Sequence, residues 1–152
     1  MIFYSFLLNN LCNFTKKSMN IILPGDKDYE PRPSVQRKSL RINLNENIYG
    51  TFVEIGAGQE VARNFYRVGA ASGTIAKSMS AYDKAFSDSI YGEEDNGRYV
   101  TQNRLDKMLN HEMDLLEKRI SRDKNPDKFF FVYANTVATI DFAKKFKGHG
   151  WM

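Results

Sequence analysis

Two β-type runs bound what this chain can become. Ile48-Tyr49-Gly50-Thr51-Phe52-Val53-Glu54-Ile55 is β-branched and aromatic and ends in Gly56-Ala57-Gly58, the composition of a strand running into a tight turn. Phe129-Phe130-Phe131-Val132-Tyr133-Ala134 is a nearly continuous apolar run, as buried strands show. Between them the spacing turns helical. Val61, Ala62, Phe65 and Val68 recur at helical intervals after Gln59, and Leu105, Met108, Leu109, Met113, Leu116 and Ile120 line one face after Thr101, a residue suited to capping a helix. Strands interleaved with amphipathic helices give the fold class α/β.

The remaining elements follow from local pattern. Leu40, Ile42 and Leu44 alternate with Arg41 and Asn43, a period of two that predicts a short strand at 40–44. Gly69-Ala70-Ala71-Ser72-Gly73-Thr74 stops the first helix and reads as a connection to a second one. Ile75, Met79, Tyr82, Phe86 and Ile90 then give a helical stripe with Thr74 as its cap, although IAKSMSAY alone could be a strand ending at Asp83. The expected set is strands near 40–44, 48–55 and 129–137 and helices near 59–68, 76–90 and 102–122, with the first half of 76–90 open between helix and strand.

Composition bounds the domain organisation and the function classes. A length of 152 residues suits one domain or a piece of a larger one. Residues 1–18 contain no Gly, Ala, Pro, Val, Asp, Glu, Gln, His or Arg, and all can be encoded by A/T-rich codons. This head is expected to be spurious or disordered, with translation starting at Met19, because its lysines follow the apolar stretch rather than precede it as in a signal peptide. Residues 19–38, with PGDKDYEPRP, read as a disordered tail. Residues 39–152 are expected to be the N-terminal part of an α/β domain truncated at Met152. Lys and Arg outnumber Asp and Glu by 22 to 18, but the basic residues are scattered, which argues against a nucleic-acid groove. No run approaches the ~18 apolar residues of a spanning helix, so no membrane partner is expected. Cys12 is the single cysteine, which excludes an internal disulfide framework and fits a cytoplasmic setting.

The chemistry-bearing candidates are few. The string Phe52-Val53-Glu54-Ile55-Gly56-Ala57-Gly58-Gln59-Glu60 is a strand, a glycine turn and a helix start, the arrangement with which open α/β folds present backbone amides to a ligand. It is similar to the first motif of S-adenosylmethionine-dependent methyltransferases, an acidic residue followed by G-x-G. That similarity implies Gly56 and Gly58 as residues that let a cofactor approach, and Asp83, after the next element, as an acceptor for ribose hydroxyls. Gln59-Glu60 stands where a third glycine is expected, and Glu60 is unfavourable beside a bound phosphate. The alternative is a tight structural turn. The stretch 69–74 could be a second anion-binding nest, with Lys77 the nearest lysine, or only a connection. His111 sits off the apolar face of its helix in a solvated position and lacks the second histidine of a zinc motif. His149 lies between Gly148 and Gly150, where a site residue would have backbone freedom. No catalytic residue, cofactor or metal can be assigned from the sequence.

The strings IYGTFVEIGAGQEVARNFYRVGAASGTIAKSMSAYDKAFSDSIYG, RYVTQNRLDKMLNHEMDLLEKRI, FFFVYANTVAT and HGWM resemble, over about residues 40–152, a bacterial protein family with no established site. Its longer members are variously labelled nicotinate-nucleotide adenylyltransferase or TonB-dependent receptor. A receptor label implies an outer-membrane barrel, at odds with the helical pattern here. The adenylyltransferase label implies G-x-F-x-P-x-H-x-G-H and S-x-T-x-x-R type motifs, and neither occurs. Three functions are therefore carried forward. The first is a nucleotide-handling enzyme with a nucleotide or other anionic small molecule bound in 50–83. The second is a methyltransferase-like domain using Gly56, Gly58 and Asp83, and the third is a non-catalytic scaffold whose glycines serve close packing.

Overall fold

The computed structural model describes residues 33–140, 143 and 147–152. The expectations for residues 1–18 and for most of 19–38 lie outside the described residues. The element order is α1 (Val35–Asn43), β1 (Ile48–Gly56), α2 (Val61–Arg67), β2 (Ile75–Ala81), α3 (Lys84–Tyr91), α4 (Gln102–Arg119), β3 (Phe129–Ala138) and β4 (His149–Trp151). The strands form one sheet in the order β2-β1-β3-β4. β1 runs parallel to both neighbours, and β4 pairs antiparallel with the end of β3. The α/β class is the observed one.

Alternation along the strands divides the core between the two faces of the sheet. Val53, Ile55, Ala81 and Ala134 pack with Tyr91 of α3 and Leu105 and Met108 of α4. On the other face Phe52 and Phe131 pack with Ala62 of α2, and Phe65 closes on them. The Phe52 ring lies 4.8 Å from that of Phe65 and 5.3 Å, edge on, from that of Phe131. Such aromatic pairs add about 0.5–1.5 kcal/mol each beyond buried area. Polar caps fix the helix starts: the Ser34, Asp83 and Thr101 side chains accept the amides of Arg37, Phe86 and Arg104, so Thr101 does cap the long helix.

Two expected elements are corrected. Residues 40–44 are not a strand: 40–43 belong to α1 and Leu44 is its C-cap, and α1 also takes in 35–38 of the segment read as a tail. The buried positions of α1 are Ser39 and Asn43, one turn apart. Asn43 Nδ2 donates to the carbonyls of Phe65 (2.9 Å) and Gly69 (2.7 Å), so a polar side chain faces inward and leaves Leu40 and Leu44 outside. The stretch 76–90, whose first half the sequence leaves open between helix and strand, is a strand followed by a helix, β2 then α3. Gly50 pairs Ile75 and Thr51 pairs Lys77, so Ala76 is an extra residue that turns Ile75 to the Phe52 face while Met79 stays on the Val53 face, and regular alternation is broken where β2 begins. Thr74 therefore caps no helix, and the stretch 69–74 leads into a strand. Its buried hydroxyl donates to the Asn43 carbonyl at 3.3 Å.

Candidate functional site

The path of the chain creates a switch point. From β1 it crosses to β2 on one side, then returns past β1 to β3 on the other. Open α/β sheets bind ligands outside the carboxyl ends of the strands at such a point. A cleft of about 310 Å³ lies there, lined by the ends of β1 (Ile55, Gly56) and β3 (Thr136, Val137) and by Tyr82 and Asp83 after β2. Small-molecule sites span roughly 300–1,000 Å³.

The walls are held by polar contacts behind them. Asp83 Oδ1 accepts the Phe86 amide at 2.9 Å, which fixes the carboxylate at the head of α3. Lys84 Nζ lies 4.5 Å from the centre of the Tyr99 ring, and the Tyr99 hydroxyl donates to Asp88 Oδ2 at 2.7 Å. Thr136 Oγ1 donates to the Tyr99 carbonyl at 2.8 Å, tying the segment before α4 to the end of β3. Ser87, also in the lining, accepts Arg104 Nη2 at 2.7 Å. Arginine stays protonated and cannot serve as a general base, and no His or Cys lines the cleft. Asp83 is the one carboxylate in the lining. Among the described residues no three His, Cys, Asp or Glu side chains could hold a metal ion.

The glycine turn divides. Gly56, at φ +77°, lines the cleft, and a Cβ there would stand 2.2 Å from the Val137 carbonyl oxygen. Gly58 faces side chains at the same end of β3, where a Cβ would meet Val137 Cγ2 at 2.6 Å and Asn135 Oδ1 at 2.7 Å. Its carbonyl accepts Asn135 Nδ2 at 2.9 Å. The structure thus brings Gly56 and Asp83 to one cleft, and Gly58 packs beside it.

The amides of Ala57, Gln59 and Val61 are committed to the protein. Ala57 N–H donates to the Val137 carbonyl (3.0 Å) and Gln59 N–H to the Ala57 carbonyl (3.1 Å). Val61 N–H, in the first turn of α2, donates to Glu54 Oε1 at 2.8 Å. Gln59 Nε2 bridges back to the Glu54 and Gly56 carbonyls. The place where a phosphate would meet a helix N-terminus holds the carboxylate of buried Glu54. Burial pushes the nearby Tyr133 phenol up and Glu54 adds to the effect, against a hydrogen bond from Asn135.

The other sequence candidates lie apart from the cleft. Lys77 does not serve the 69–74 turn; its ammonium pairs with buried Glu112, and Tyr91 donates to the same carboxylate at 2.8 Å. His111 is half-buried, its ring edge on to Tyr91 at 5.3 Å. His149 is exposed on β4, opposite Ala138. Sequence reasoning missed Ser87, Tyr99 and Thr136, none of which carries a motif, and it assigned Arg104 and Glu112 no inward role. Arg104 is fully buried between Ser87, Glu94 and Asp88, with the Tyr91 and Tyr99 rings on its guanidinium.

No family model and no curated protein matches the chain. Among solved structures it is similar to the competence/damage inducible protein CihA from Agrobacterium tumefaciens, at 13% identity and a TM-score of 0.49, over 74% of this chain. The match covers 65% of that protein, less than two thirds of its length. Neither function nor site is carried across at that level of likeness. Among the described residues no helix is long and apolar enough to cross a membrane.

Proposed function

We propose that the cleft binds a ribose-bearing cofactor without a phosphate at the β1–α2 turn, S-adenosylmethionine being the test case, and that the domain is methyltransferase-like. The observation that carries this reading is the convergence of Gly56 and Asp83 on one cleft at the carboxyl ends of neighbouring parallel strands. An acidic residue at the end of the second strand is where dinucleotide folds hold ribose hydroxyls, and a carboxylate has acceptor capacity beyond the one amide it caps. A phosphate is disfavoured because the amides of Ala57, Gln59 and Val61 are spent and Glu54 and Glu60 place negative charge at the head of α2. Tyr82, 74% exposed at the mouth, offers a planar face to a base.

Membership of the bacterial family resembled over residues 40–152 is part of this proposal, and its adenylyltransferase label supplies the competing reading, a nucleotide-handling enzyme. Calorimetric titration with S-adenosylmethionine, ATP and nicotinate mononucleotide separates the two. Saturable binding of S-adenosylmethionine, weakened tenfold or more in Asp83→Asn, is the expected result; asparagine keeps the cap and removes the charge. Preferential binding of either phosphate-bearing ligand favours the nucleotide reading. No heat from any of the three overturns both and leaves the scaffold.

A further inference from the structure

The hydroxyl groups of the cleft are sorted by what holds them. Two buried ones stand in its lining, Ser87 on α3 and Thr136 near the end of β3. Thr136 Oγ1 spends its proton on the Tyr99 carbonyl at 2.8 Å, which leaves it only lone pairs to offer. Ser87 is held in the opposite sense. Its oxygen accepts Arg104 Nη2 at 2.7 Å, and a guanidinium donates but never accepts, so the serine proton needs an acceptor elsewhere. A helical serine commonly returns its proton to a carbonyl of the preceding turn, as Ser89 does to that of Phe86 at 2.7 Å. Among the described residues Ser87 makes no such bond, and no other acceptor takes its proton. The guanidinium behind it lends little charge to a ligand, because it is shared between Asp88 and Glu94.

We infer that Ser87 is the donor that selects the base of the cofactor. The inference rests on the ribose-bearing reading above: Asp83 takes the ribose hydroxyls at the mouth, and Ser87, one helical turn on and buried, donates to the base. Asp83 is exposed and offers acceptor oxygens, whereas Ser87 offers a proton whose acceptor must come from the ligand. That acceptor is neutral, since no net positive charge stands behind the serine. In an adenosyl compound the neutral acceptors of the base are its ring nitrogens. Ile55, Val100 and Val137 in the same lining supply the apolar walls that a planar ring requires.

Calorimetry on the full chain tests this with S-adenosylhomocysteine and a set of analogues, each with one ring nitrogen of the base replaced by C–H. One analogue should bind the parent about tenfold more weakly, the loss expected when a buried donor is left without its acceptor, and the others should bind like the unmodified ligand. Ser87→Ala should bind the unmodified ligand about tenfold more weakly and no longer distinguish it from that analogue. Such non-additivity is the mark of a direct contact, and a merely structural role for Ser87 would not produce it. Because alanine also strips Arg104 of an acceptor, Ser87→Cys is run beside it; the thiol keeps a weak donor and a weak acceptor and should bind between the two. Ser89→Ala should discriminate as the parent does. Equal binding of all analogues by the parent, or unchanged discrimination in Ser87→Ala, overturns the proposal. If Asp83→Asn still weakens the unmodified ligand in that case, the cofactor reading stands and only the role of Ser87 falls. Absence of binding by the parent to the whole set overturns both.

Discussion

Glu54 Oε1 accepts the Val61 amide at 2.8 Å, across a turn of seven residues. The carboxylate of β1 thereby caps α2, whose own N-cap residue Glu60 makes no capping hydrogen bond. Replacing Glu54 with alanine leaves a half-buried amide without its acceptor and should lower stability by about 1–3 kcal/mol. Glu54→Gln keeps an acceptor and loses only the charge at the helix end, a cost of about 0.3–1 kcal/mol. Urea titrations of both variants check the order, and equal losses would mean the bond to Val61 contributes nothing.

Gly58→Val tests whether the turn packs or binds. The added atoms collide with Val137 and Asn135 on β3, so the melting temperature should fall, with overpacking of this kind costing about 1–3 kcal/mol. If a cofactor instead approached at Gly58, the variant would melt like the parent and fail only in ligand titration. The positive φ of Gly56 and its 2.2 Å approach to the Val137 carbonyl make Gly56→Ala the more damaging of the two conservative changes to alanine.

Arg104 is the largest fully buried side chain and stands against Asp88 and Glu94, 3.4 Å from each. Arg104→Met removes the cation and leaves carboxylates in a dry pocket, which should cost about 3–5 kcal/mol. Arg104→Lys should not rescue it, because an ammonium lacks the planar fork that reaches Ser87 and Gly92 together. Thermal unfolding of the three proteins measures this.

Glu94 gives the fold an acid limb. Burial alone would raise its carboxyl, but hydrogen bonds from Lys107 and Asn103 and the charges of Lys107 and Arg104 outweigh burial and hold it below its ordinary value of 4.5. The stabilisation is therefore complete above that value and is lost as pH falls through the lower folded one. Glu94→Gln should be less stable than the parent at pH 7, and the gap should narrow as the pH is taken down from 4.5. A gap independent of pH would assign the effect to packing.

The strands at 48–56 and 129–138 and the helix at 102–119 were legible because their apolar pattern matches how they are buried. The cleft was legible only at Gly56 and Asp83. Elsewhere side chains invert the usual code. Asn43 faces inward to hold two carbonyls of the next helix region, so α1 shows its leucines to solvent and reads as a strand. The extra residue at the start of β2 turns Ile75 and Met79 to opposite faces of the sheet, so plain alternation does not reveal the strand. Arg104 and Glu112 are charged residues buried by partners 10 to 35 positions away, and no local window contains both members of such a pair. Ser87, Tyr99 and Thr136 converge only because α3, the segment before α4 and β3 meet at one end of the sheet.

The central place of β1 also sets a timetable for the chain. Ile48 pairs with Phe129 and Gly56 with Val137, so one full edge of the most buried strand waits for residues made 81 positions later. At about 5–20 residues per second on a ribosome, β1 emerges several seconds before its second neighbour exists. During that interval the edge of β1 that later takes β3 is unpaired, and its backbone groups are open to any other strand at hand.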